Sequence, residues 1–148
     1  MNHHNIRFTG ADTYFGLGTI VSPNEFLGTI NIYSTTYIEG DLIVTDTLQN
    51  KSGGHYSLYV NGNIENNGVI QKNTSGNLYL YISGDIANNG KWENTSTYLN
   101  GSGQQLISQM AGKSFGSSFN NSNSTDTIRA TTDLSFTSTF ILNNNILD

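Results

Sequence analysis

The sequence has no cysteine and a single proline. Without cysteine there is no disulfide framework and no thiolate metal site, so packing and hydrogen bonding must hold the fold. Charge is also scarce. Against 11 Asp and Glu stand 6 Lys and Arg, a formal net charge of −5, which leaves no basic face for nucleic acid. The chain has no apolar run long enough for a membrane-spanning helix. Asn, Ser, Thr and Gly replace the strong helix formers, a composition suited to turns and polar sheet faces.

What the sequence does have is a repeat. Three 22-residue stretches align column by column: TTYIEGDLIVTDTLQNKSGGHY (35–56), SLYVNGNIENNGVIQKNTSGNL (57–78) and YLYISGDIANNGKWENTSTYLN (79–100). The matching columns are Tyr37, Tyr59 and Tyr81; Gly40, Gly62 and Gly84; Asp41, Asn63 and Asp85; Leu42, Ile64 and Ile86; and Leu48, Ile70 and Trp92. Such fixed-period self-similarity marks a solenoid. A degenerate copy at 13–34 would put Phe15, Gly18, Ile20 and Phe26 into the Tyr, Gly, Leu/Ile and Leu/Ile/Trp columns.

Leu58, Val60, Gly62 and Ile64 alternate with Ser57, Tyr59, Asn61 and Asn63, the period-two pattern of a strand with one buried face. Asn66-Asn67-Gly68 and Asn88-Asn89-Gly90 break it, Val69–Gln71 and Lys91–Glu93 start a second strand, and a polar third segment closes the turn. The expected fold is all-β, a parallel β-helix of about six coils forming one solenoid domain over 1–148. Residues 101–148 are expected to form irregular coils, with an Asn-rich loop at 120–125 projecting from the rod. The competing fold is an antiparallel β-meander or sandwich in which the Asn-Gly steps at Asn61, Asn67, Asn89 and Asn100 make hairpin turns.

Within Asn94–Asp148, the pieces Leu99–Ile107, Phe119–Ser122 and Asp133–Leu147 resemble a repeat of very large secreted and surface proteins of the Bacteroidota. The Gly-Asp/Asn-Ile-x-Asn-Asn-Gly units of the 22-residue copies are similar to segments that accompany it. The resemblance implies a β-helical segment of an adhesin-like or scaffold protein, extracellular or on the cell surface. Met1 is followed by Asn-His-His-Asn and not by a basic then apolar segment, so no signal peptide is read and a mature piece or fragment is expected.

The alternation places Tyr37, Tyr59 and Tyr81 outside, a candidate binding ladder for a glycan or protein surface; the structural alternative is that the rings stabilise one another. Asp41, Asn63 and Asp85 form an oxygen-rich outer column, a candidate site for calcium, against which stands a merely solvated face. Asn66, Asn67, Asn88 and Asn89 are assigned to amide ladders supporting a coil corner. No catalytic constellation emerges, since Arg7 and Arg129 lie far in sequence from the Asp column and the lysines fall in turns or on polar edges. The expected function is therefore a non-catalytic structural or adhesive module without a cofactor. The alternatives are a filament subunit that self-associates through uncapped ends and a fragment of a polysaccharide-degrading or phage-tail protein.

Overall fold

The computed structural model describes residues 6–9, 13–15, 19–21, 24–121 and 127–142, with side chains from residue 28 onward. All secondary structure in these residues is strand, and the chain winds repeatedly around three faces. The first coil is β1 (Ile6–Thr9), β2 (Thr13–Phe15) and β3 (Thr19–Val21); the second is β4 (Asn24–Leu27), β5 (Ile30–Ile32) and β6 (Thr36–Glu39). The third is β7 (Leu42–Val44), β8 (Thr47–Asn50) and β9 (Gly54–Val60), and the fourth is β10 (Ile64–Asn66), β11 (Val69–Gln71) and β12 (Gly76–Ile82). The fifth is β13 (Ile86–Asn88), β14 (Lys91–Glu93) and β15 (Ser96–Leu99). Two abbreviated coils follow, β16 (Gln104–Gln109) with β17 (Ser118–Asn121), and β18 (Thr127–Ala130) with β19 (Phe140–Ile141).

Faces 1 and 3 are each seven strands deep and face 2 is five, because beyond β14 it continues only as single bridges at Phe115 and Phe136. The expected parallel β-helix of about six coils is present as five full coils and two partial ones. Every strand pair is parallel. The meander is therefore excluded. Each of the four Asn-Gly steps falls at a corner between successive faces, where the chain turns onward and not back on itself. Asn61-Gly62 is one of these corners, so the alternating stretch 57–64 is two strands, β9 and β10, and not one.

Register corrects the placement of the upstream copy. Ile6 pairs with Asn24 and Asn24 with Leu42, an advance of 18 residues, whereas Leu42 pairs with Ile64 and Ile64 with Ile86, an advance of 22. Tyr37 therefore lies over Thr19 and not Phe15, Leu42 over Asn24 and not Ile20, and Leu48 over Ile30 and not Phe26; Gly18 lies outside the described residues. The four extra residues enter at the corner between faces 2 and 3, since Asn50 sits over Ile32 while Leu58 sits over Thr36. That corner shortens again after β14, and Tyr98 comes to pair with Tyr81 only 17 residues on. After residue 100 the sequence loses its period but the coils do not, because Ile86 pairs with Ile107 and Ser96 with Ser118. In the expected projecting loop, Asn120 and Asn121 belong to β17, where pairing with Tyr98 and Leu99 holds them, and Asn121 is buried; 122–125 lie outside the described residues.

Inside, Leu42, Ile64, Ile86 and Ile107 stack on face 1, and Leu58 and Leu80 on face 3, all buried. Each such side chain contributes roughly 1.5–3 kcal/mol. Where face 2 loses its strands, rings take over: Trp92 meets Phe115 edge-on at 5.4 Å and Phe119 meets Phe115 at 4.8 Å, with Phe136 and Phe140 beyond.

Candidate functional site

Parallel in-register pairing puts like residues of successive coils about 4.8 Å apart, so any repeated side chain becomes a ladder. On face 3 this produces a stack of four tyrosines. Tyr37 and Tyr59 lie 4.8 Å apart, Tyr59 and Tyr81 4.5 Å, and Tyr81 and Tyr98 4.7 Å, with interplanar angles of 10–13°. Tyr98 completes a row that a 22-residue period finds only in part, because the short corner of Asn94 and Thr95 brings it into register early. Tyr59 and Tyr81 have rings against both faces and Tyr37 and Tyr98 against one, so the row presents mainly ring edges. The ladder therefore cannot offer each ring's face to a sugar; it offers a narrow stripe of edges and phenols.

Burial within the stack, then the neighbouring phenols of Tyr59, Tyr98 and Tyr79, pushes the Tyr81 phenol above its ordinary value of 10.0, against an opposing hydrogen bond with Ser57. The folded chain holds this proton more tightly than the unfolded one. The associated stability is complete below about pH 10 and falls as pH rises toward the folded value. Melts taken through the alkaline range are expected to show a loss that Tyr81→Phe reduces; an identical loss in the variant would show that the ladder does not titrate this way.

The Asp41–Asn63–Asp85 column stands at the corner between faces 3 and 1. Asp41 Oδ1 accepts Asn63 N–H at 2.7 Å, Asn63 Oδ1 accepts Asp85 N–H at 2.7 Å, and Asp85 Oδ1 accepts Leu106 N–H at 2.8 Å. One oxygen of each residue thus joins its coil to the next. Among the described residues no group of three or more His, Cys, Asp or Glu is placed to hold a metal ion.

The four asparagines divide into two ladders. Asn66 and Asn88 point inward and are fully buried, with Asn66 Nδ2 donating to Asn88 Oδ1 at 3.0 Å and to Lys91 O at 2.9 Å. Asn88 Nδ2 donates to Ser114 O, and each Oδ1 also accepts the N–H of the glycine two residues on, Gly68 or Gly90. In the next coil Gln109 takes over, donating to Lys113 O and accepting from Ser135 N–H. Asn67 and Asn89 point outward, joined by a single bond of 2.9 Å. A further amide ladder, which the alignment does not single out, runs along face 2: Gln71 donates to Gln49 at 3.0 Å and Gln49 to Asn31 at 2.9 Å. Compared with known protein families, curated proteins and solved structures, the chain matches none.

Proposed function

We propose that the chain is a non-catalytic structural and adhesive module of a bacterial extracellular or cell-surface protein, a stiff solenoid presenting face 3 to a glycan or protein surface. The observation that carries this is the continuity of the tyrosine row. Coil length drops from 22 residues to 17 at a corner of face 3, yet Tyr98 still joins the column of Tyr37, Tyr59 and Tyr81. Side-chain ladders on all three faces join coil to coil and support a rod-like role.

Contact through the stripe would use hydroxyls and ring edges, which separates recognition from stacking. Tyr59→Phe with Tyr81→Phe is expected to keep the melting temperature within a few degrees while weakening binding to isolated bacterial surface polysaccharide. Serine at the same positions should lower both, each lost ring pair costing about 0.5–1.5 kcal/mol. Full binding by the phenylalanine variant would leave the ladder purely architectural.

A further inference from the structure

A flank of the rod that is deeply indented is face 2 beyond β14. There the strand pairing stops and the turn 110–114, with Gly112 at φ 78°, begins the segment leading to the single Phe115 bridge. Three clefts open on this flank, of about 200, 540 and 360 Å³. The first two share Gly112, Lys113, Ser114 and Thr137, and the first and third share Glu93, Gly116 and Thr137, so they form one continuous groove.

The distribution of charge singles out the same flank. Both arginines lie on face 1 strands, whereas all four lysines, Lys51, Lys72, Lys91 and Lys113, lie on face 2 or in the turns beside it. In a chain of net charge −5, the lysine ammonium groups are therefore confined to one side. Lys72, Lys91 and Lys113 line the groove. Lys91 is held by Glu93 at 2.8 Å and Asp133 lines the far end, but Lys72 and Lys113 have no ion-pair partner among the described residues. Between the cations the lining carries hydroxyls: Ser114, Thr137, Ser138 and Thr95. Trp92 lies beneath the floor, fully buried, so no exposed indole is available for stacking.

We infer that this groove binds an acidic, uronate-containing polysaccharide. Carboxylates of the ligand would meet Lys72 and Lys113, and sugar hydroxyls the Ser and Thr groups between them. A polyphosphate backbone fits less well, since Glu93 and Asp133 interrupt the positive field and the hydroxyl lining matches sugar. The inference is independent of the tyrosine stripe.

The test is titration of the whole chain with an oligogalacturonate, followed by the emission of the lone Trp92 under the groove and by calorimetry. Binding is expected to weaken between about 20 mM and about 200 mM salt, and to fall at least about tenfold in K72Q/K113Q. The Tyr59→Phe/Tyr81→Phe variant should bind the uronate as the parent does, so failure here and failure of the tyrosine proposal are distinguishable. No binding, equal binding to the uncharged oligosaccharide, tighter binding to single-stranded DNA, or an unaffected K72Q/K113Q would each overturn the inference.

Discussion

Replacing Gly90 with alanine is expected to destabilise the chain by more than about 3 kcal/mol, beyond the usual cost of overpacking a core. Gly90 is buried, and a Cβ there would collide with the carbonyl oxygen of Gly68 and lie 2.9 Å from its carbonyl carbon. The obstacle is backbone, which cannot swing aside as a side chain can. Relief requires the two coils to separate, and that breaks the 2.9 Å bond from Lys91 N–H to the same Gly68 oxygen. Gly53 is the control. Its φ is +81° but an added Cβ meets nothing, so Gly53→Ala should cost only the conformational term, about 1–2 kcal/mol. Denaturant unfolding of both variants separates close approach from backbone conformation; equal losses would refute the steric account.

Adjacent asparagines should respond very differently. Asn88→Ala removes the acceptor for Asn66 Nδ2 and Gly90 N–H and the donor to Ser114 O, all at a buried corner. Asn66 Nδ2 keeps its bond to Lys91 O, so Gly90 N–H and Ser114 O are stranded, which at roughly 1–3 kcal/mol for each group is expected to cost about 2–6 kcal/mol. Asn89→Ala loses one outward bond to Asn67 and should cost under about 1 kcal/mol. Equal melting temperatures for the two variants would mean that the inner ladder is not what holds the corner.

The inner and outer roles of these asparagines follow from parity: Ile64 points inward, so Asn66, two residues on, does too. Parity and period together make the coils from Thr35 to Glu93 legible, since both survive wherever consecutive coils are equally long. They fail where a corner changes length. A 22-residue period puts Phe15 under Tyr37, four residues from the true partner Thr19, and misses Tyr98 because its coil is five residues short. The groove was hidden differently. Its lysines recur at 19 and 22 residues, close to one coil each, yet Lys72 and Lys91 fall in different columns and Lys113 lies beyond the three aligned copies. A column-by-column alignment treats them as unrelated, and only the three-sided winding puts them on one flank.

The corner between faces 2 and 3 takes up four residues in some coils and gives up five in another without disturbing the pairing on either side. Added chain widens the rod and does not lengthen it. Axial distance is then counted in coils, each a step of about 4.8 Å, and not in residues. The molecule is in this sense a ruler: groups on any face keep fixed spacings along the axis, indifferent to how much sequence lies between them.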